Sequence, residues 1–144
     1  MKKLGCGLGI LLAVLLIFIF GACALFMIGN NVVAKATLED IKEIPLPEDT
    51  ELVDEIYIAD KLVGNGNGVQ YFGAVLVKSE LELYELDGYY NNYRENEWDY
   101  IVEAQYGREI NVIEHGNYTF DKKISKGRHY IVYSWGDKNL VWGD

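Results

Sequence analysis

The longest feature in the pattern of hydrophobic and polar positions is an apolar run from Leu4 to Ile28, 25 residues that include no charged side chain. A helix of that length reaches roughly 37 Å, which exceeds the hydrocarbon core of about 30 Å in a typical bilayer. The pattern therefore predicts a transmembrane helix over residues 4–28 in contact with the lipid bilayer, preceded by a short N-terminus of residues 1–3.

A mixed segment follows the apolar run. Residues 30–43 mix apolar and charged side chains at a spacing that predicts a frayed continuation of the helix. Pro45-Leu46-Pro47 then stops it, because each proline fixes its own φ and biases the preceding residue away from helix. We therefore expect a stalk over residues 29–47 and a separate domain over residues 48–144.

The domain begins with two strand patterns, Thr50–Val63 and Val69–Lys78. Between them lie Gly64, Asn65, Gly66, Asn67 and Gly68. Asn-Gly pairs tolerate the positive φ angles of a type I′ turn, so the segment predicts a β-hairpin. A nucleotide site would need a helix after the glycines instead of a strand.

A helix is predicted next, with Ser79 as its N-cap and Glu82 completing a capping box. Its apolar stripe is formed by Leu83, Leu86, Tyr90 and Tyr93. Gly88 weakens the middle of this helix by up to about 1 kcal/mol relative to Ala, unless close packing requires a small residue there.

Three further strand patterns complete the chain. They cover Trp98–Tyr106, an interrupted stretch within residues 108–120, and Arg128–Trp135. The order of elements predicts an α+β fold in two layers, with one helix packed on an antiparallel sheet in a ββαβββ-like arrangement.

Charge is distributed very unevenly along the sequence. Lys2, Lys3 and Lys35 precede Thr37, whereas all 22 acidic residues follow it and leave residues 37–144 with a net charge of −12. The positive-inside rule therefore predicts a cytoplasmic N-terminus and an extracytoplasmic domain. The acid surplus repels phosphate groups, which argues against nucleic acid as a partner.

Two alternatives to a permanent anchor remain open at this stage. Ala34-Lys35-Ala36 fits a signal-peptidase pattern, which would release a secreted domain after Ala36. Phe20-Gly21-Ala22-Cys23 resembles a lipoprotein processing box, which would place a lipid on Cys23. Both cysteines, Cys6 and Cys23, fall within the apolar run, so a disulfide within the domain is excluded.

The apolar run also carries small residues at a regular spacing. Gly5, Gly9 and Ala13 lie four residues apart on one face of the predicted helix. Small residues at this spacing let two membrane helices approach closely, so weak self-association and a purely structural or assembly role are one functional hypothesis.

Candidate chemistry in the domain is sparse. The two histidines, His115 and His129, lack metal-ligand spacing, and the serines lack a nucleophile-elbow context. We therefore predict no catalytic residue, no cofactor and no metal site. Trp142, the aromatic residue least explained by a core, is a candidate ligand contact together with His129 and His115.

Three sequence blocks resemble an uncharacterised family of small bacterial membrane-anchored or secreted proteins with one short α+β domain. The blocks are PLPEDTELV, GNGNGVQYFGAVLVKSELELYEL and YIVYSWG, and the GNGNG-x-x-YFGA-x-L part is the most specific. The resemblance implies a bacterial source and these domain boundaries, but no activity, cofactor or catalytic residue.

The sequence therefore favours a non-enzymatic, single-pass membrane protein whose extracytoplasmic domain binds a protein or an envelope component. The alternative from another class is a small hydrolase or acid-base enzyme that uses His129 or His115 with nearby carboxylates. A structure that pairs one of these imidazoles with a carboxylate in a cleft would favour the enzyme.

Overall fold

The structure is a computed structural model that describes residues 2–60, 68–105, 119–122 and 126–136, with the side chains of residues 2–8 left out. The predicted turn residues 64–67 and most of the interrupted strand predicted within residues 108–120 lie outside these ranges. The chain divides into two compact units, Met1–Asn30 and Asn31–Asp144.

Six elements occur in the described residues, and their order confirms the predicted α+β class. They are α1 (Lys2–Glu43), β1 (Thr50–Asp60), β2 (Gln70–Ser79), α2 (Leu83–Asn91), β3 (Ile101–Gln105) and β4 (His129–Gly136). The four described strands form one antiparallel sheet in the order β1-β2-β4-β3.

The strands β1 and β2 pair as the hairpin prediction requires. Ile58 lies opposite Phe72 and Thr50 opposite Ser79, with an irregularity in register between Leu52 and Asp54. The β2 strand is central and almost wholly buried, which explains why its sequence reads as a continuous apolar run.

The predicted N-cap of α2 is wrong. Ser79 ends β2, where its hydroxyl lies 2.6 Å from the hydroxyl of Thr50. The capping box is formed instead by Glu82 and Glu85, and the Glu82 amide donates to the Glu85 carboxylate at 2.8 Å. Ser79 does not cap α2 because its hydroxyl bonds to Thr50 on the neighbouring strand and accepts from the amide of Leu81.

The alternation predicted for Trp98–Tyr106 holds from Tyr100 to Ala104, which pack with Val102 on the first core cluster; Tyr106 lies outside the described residues. The strand β3 itself begins at Ile101, because Tyr100 adopts a positive φ of 52°. Trp98 departs from the pattern: its ring contacts Trp135, which packs against the second cluster, edge to face at a centroid distance of 4.7 Å.

Both faces of the sheet are covered. The first face packs against α2 and the end of α1; its buried members are Leu38, Ile41, Ile44, Val75, Val77, Leu86, Tyr90, Val102, Tyr130 and Val132. The second face carries another cluster; its buried members are Phe72, Ala74, Leu76, Phe120, Ile131 and Tyr133.

The segment predicted as a stalk is part of the folded unit. The helix α1 continues to Glu43, and its residues Ala34, Leu38 and Ile41 are at most 2% exposed. These positions recur every three or four residues, which forms one apolar stripe on a helix. The second unit therefore begins at Asn31, ahead of the boundary expected at Pro45.

Backbone contact joins α1 to the central strand at Gly73. A Cβ placed on Gly73 would lie 2.5 Å from the amide nitrogen of Leu38 and 2.8 Å from the carbonyl carbon of Thr37. Only a residue without a side chain permits this approach, because real Cβ contacts are longer. Thr37 is itself 1% exposed, and its hydroxyl donates to the carbonyl of Val33.

We predict opposite effects for two glycine substitutions. Gly73→Ala should destabilise the protein by about 3 kcal/mol, since the new methyl group meets backbone that cannot rotate away. Gly88→Ala is the control: its Cβ meets no atom within 4 Å, so it should stabilise α2 by about 0.5–1 kcal/mol. Urea unfolding measures the change in the free energy of unfolding for each variant. Equal changes in the two variants would contradict the close contact between Gly73 and α1.

Truncation tests whether residues 31–44 belong to the fold. A chain lacking residues 1–30 should unfold cooperatively, because it keeps the whole second unit. A chain lacking residues 1–44 loses Leu38, Ile41 and Ile44 from the core. Each buried aliphatic side chain contributes about 1.5–3 kcal/mol, so the loss approaches a typical total stability of about 5–15 kcal/mol. Thermal unfolding followed by circular dichroism should show no cooperative transition for the shorter chain. Equal transitions in the two chains would indicate that residues 31–44 are a stalk outside the fold.

Stability should also fall at high pH through Tyr90. Burial, with a smaller contribution from the negative charges of ionised Tyr89 and Tyr93, raises the pKa of the Tyr90 hydroxyl to about 12. The folded state then holds the proton more tightly than the unfolded chain, whose tyrosine pKa is about 10. The stability from this group is complete below pH of about 10 and is lost as the pH rises towards 12, by about 2–3 kcal/mol.

The Tyr90→Phe variant should flatten this loss, as measured by urea unfolding at pH 8 and pH 11.5. Tyr84→Phe is the matched control, because Tyr84 lies on the same helix and is 75% exposed. Identical pH dependence in wild type and Tyr90→Phe would contradict the assignment.

Candidate functional site

An open, partly apolar groove lies beside α2 and β3. We call it the α2–β3 groove; it is lined by Glu82, Leu83, Tyr84, Asp87 and Val102 and has a volume of about 530 Å³. Leu83 is 40% exposed and Tyr84 75% exposed, whereas Val102 is buried. The groove therefore offers both an apolar floor and a freely accessible aromatic ring.

The position of Leu83 and Tyr84 follows from how α2 is anchored. Leu86 and Tyr90 are fully buried in the first core cluster, which fixes the face that the helix turns to the sheet. The capping box between Glu82 and Glu85 fixes where the helix begins. The first turn of α2 is thereby held with Leu83 and Tyr84 in contact with solvent.

Two arginines hold the wall of the groove together. Arg94 donates to the carbonyl oxygens of Asp99 at 2.8 Å and Tyr100 at 3.1 Å, and it contacts the Asp87 carboxylate at 3.2 Å. These bonds connect α2 to the segment that leads into β3. The Tyr100 amide in turn donates to the Ser134 hydroxyl of β4 at 2.9 Å.

The second arginine, Arg128, lies at the other end of the groove. Its guanidinium contacts the Glu82 carboxylate at 2.6 Å and donates to the carbonyl of Glu80. Both acidic side chains of the groove remain about half exposed, 52% for Glu82 and 49% for Asp87. Their ion pairs are therefore open to solvent.

A second depression of about 240 Å³ adjoins the α2–β3 groove and shares two of its residues, Glu82 and Leu83. Its other lining residues are Ala104, Gln105, Gly127, Arg128, His129 and Tyr130.

A third depression, of about 330 Å³, is polar throughout. It is lined by Asp49, Thr50, Glu51, Lys78, Ser79 and Glu80. Lys78 contacts the Glu51 carboxylate at 3.3 Å, and the Thr50 and Ser79 hydroxyls bond to each other. Within the described ranges, no group of three or more His, Cys, Asp or Glu side chains could hold a metal ion.

His129 lies in β4 and is 2% exposed. Its Nδ1 lies 3.2 Å from the carbonyl oxygen of Gly127, and its Nε2 is buried without a hydrogen-bond partner in the described part of the chain. A catalytic imidazole needs access to substrate and an orienting carboxylate. His129 lines the second depression together with Glu82, but the residue is only 2% exposed. Neither ring nitrogen is hydrogen-bonded to a carboxylate in the described part of the chain.

Several residues singled out from the sequence lie outside the described ranges. These are His115, Trp142, Gly64, Asn65, Gly66 and Asn67. Gly68, the last residue of the predicted turn, is exposed just before β2. On α1, Ala13 is exposed, and a Cβ on Gly9 would meet no atom within 4 Å; Gly5 falls among the residues whose side chains are not described.

Sequence reasoning missed Tyr84 and misjudged Leu83. Leu83 matches the apolar stripe of α2 but is too near the start of the helix to reach the core, which Leu86 and Tyr90 occupy. Tyr84 lies off the stripe, between Glu82 and Glu85. An aromatic residue on an otherwise acidic helix face was the available signal.

Comparison with known proteins gives no relative from which a function could be transferred. The chain matches no protein-family model, and neither a curated protein nor a solved structure gives a significant match. The function of the chain must therefore be inferred from its own residues.

Proposed function

We propose that the chain is a single-pass membrane protein that holds its α+β unit on the outer side of a cell membrane, where the unit binds a protein or an envelope component without catalysing a reaction. The observation that carries this proposal is the apolar part of α1. In the described part of the chain it is the one helix long and apolar enough to cross a membrane. The side chains of Ile17, Phe18 and Phe20 are each at least 70% exposed.

Water is a poor solvent for such a surface. Contiguous exposed apolar patches of more than a few hundred Å² are rare on soluble proteins and mark membrane or protein contacts. Lys2 and Lys3 on one flank and the acid surplus beyond Thr37 support a cytoplasmic N-terminus.

The packing of α1 also favours an anchor that is retained. Cleavage after Ala36 would remove Val33 and Ala34, which are 5% and 0% exposed, and would cut the helix beside Thr37. Lipidation at Cys23 would leave residues 31–44 intact, so that route stays compatible with the folded unit.

The proposal of binding without catalysis is supported by the environment of His129, whose ring is buried and has no described carboxylate partner. The α2–β3 groove supplies the exposed apolar surface that a binding function needs. No observation favours the hydrolase alternative over it.

Membrane fractionation tests the anchor. The full chain should stay in the membrane pellet after alkaline carbonate extraction, and a protease added outside the cell should remove a tag at its C-terminus. A chain lacking residues 1–30 should be soluble, because it keeps the second unit without the apolar run. The intact mass of the purified protein should match a chain that begins at Met1. A mass that matches a chain beginning at Cys23 would identify lipidation, and one that matches a chain beginning at Thr37 would identify release. Recovery of the full chain in the soluble fraction would contradict the proposal.

A further inference from the structure

We propose that the α2–β3 groove binds a basic peptide segment of a partner protein, in which an apolar side chain is flanked by Lys or Arg. This inference rests on the proposed binding function and adds the chemical class of the partner. Three properties of the described residues support it: the apolar floor, the excess of acidic groups around it and the exposed ring of Tyr84.

The floor suits one apolar side chain. Leu83 is 40% exposed and lies beside the buried Val102, so a side chain inserted between α2 and β3 would remove apolar surface of both partners from water. The volume of about 530 Å³ falls within the range of about 300–1,000 Å³ typical of ligand sites. The groove is open to solvent, so a peptide segment can reach its floor.

Acidic groups outnumber basic groups around this floor. The turn before α2 and the first two turns of the helix carry Glu80, Glu82, Glu85 and Asp87. Glu82 and Asp87 line the groove, and each is paired with an arginine. The surplus of two negative charges therefore comes from Glu80 and Glu85 beside the groove. The net charge of −12 over residues 37–144 extends the same sign around the site. A positively charged segment is therefore attracted, and an anionic partner or a second copy of this domain is repelled.

The existing ion pairs do not block such a partner. Glu82 and Asp87 are about half exposed, and Arg128 is 47% exposed. Exposed ion pairs contribute little to stability, so exchanging an internal pair for an intermolecular one costs little. The Asp87 carboxylate can turn towards a partner, whereas the Glu82 carboxylate also accepts from the Glu85 amide in the capping box.

Tyr84 adds a contact that specifically favours cations. Its ring is 75% exposed, and Asp87 follows it by three residues on the same face of α2. A Lys or Arg side chain placed between them would contact a carboxylate and the face of an aromatic ring. Cation–π contacts of this kind contribute about 0.5–1 kcal/mol at exposed sites.

The test uses the full chain in a non-ionic detergent and three fluorescent peptides: Arg-Leu-Arg-Leu-Arg, Arg-Ser-Arg-Ser-Arg and Glu-Leu-Glu-Leu-Glu. Anisotropy titrations should show binding of the first peptide, affinity at least tenfold weaker for the second, and no binding of the third. Affinity for the first should fall as salt rises from 50 to 500 mM, because screening weakens attraction between exposed charges.

Two pairs of variants locate the site. Tyr84→Ala should weaken binding about fivefold, as expected for the loss of about 1 kcal/mol, whereas Tyr57→Thr on β1 should not. Asp87→Asn should weaken binding, whereas Glu97→Gln changes the net charge equally and lies outside the lining residues. Equal effects of Asp87→Asn and Glu97→Gln would show attraction to the whole domain and would overturn the assignment to the groove.

A photo-crosslinking residue at position 84, used in native membranes, separates this inference from the binding function. Absence of peptide binding, together with capture of an acidic or uncharged protein at position 84, would overturn the basic class and leave the binding function intact. Saturable binding of neutral cell-wall oligosaccharide that Tyr84→Ala abolishes would overturn the peptide class in the same way. Failure of membrane fractionation would contradict the anchor and leave the peptide titrations unaffected.

Discussion

The contact between the backbone of α1 and Gly73 is the constraint on which the second unit depends. A Cβ at this position would lie 2.5 Å from the Leu38 amide nitrogen, so the helix lies directly on the central strand. This close approach brings Leu38 and Ile41 into the core that Val75 and Val77 form on the same face. The sheet therefore has no complete core on this face without residues that belong to α1.

The α2–β3 groove is a consequence of that packing. With the end of α1 covering part of the first face, α2 covers the region near β3 through Leu86 and Tyr90. Its first turn extends beyond the core and leaves Leu83 and Tyr84 exposed. Arg94 then fixes the helix to the entry of β3, so the groove has two walls held by hydrogen bonds.

Local patterns predicted the elements better than they predicted how the elements pack. The apolar run and the paired strands β1 and β2 follow from periodicity and turn chemistry. The docking of residues 31–43 was missed because Pro45 and Pro47 resemble a linker, while the decisive partner, Gly73, is distant in sequence. Ser79 was wrongly predicted as the cap of α2 because its hydroxyl bonds to Thr50, a contact between strands that the local pattern does not show. The groove combines residues from α2 and β3, so no single local pattern reveals it.

Retention of the helix and integrity of the groove are physically coupled. Leu38 and Ile41 share a core cluster with Leu86 and Tyr90, the residues that hold α2 on the sheet. The Tyr89 hydroxyl also donates to the carbonyl of Pro45 at 2.7 Å, which connects α2 to the segment after α1. Loss of residues 31–44 would take Leu38 and Ile41 out of this cluster and leave Pro45 as a free chain end, so both supports of α2 would be weakened. The position of Tyr84 depends on these supports. A domain released by cleavage within this segment would therefore lose the binding surface, so binding through the groove requires that residues 31–44 stay attached.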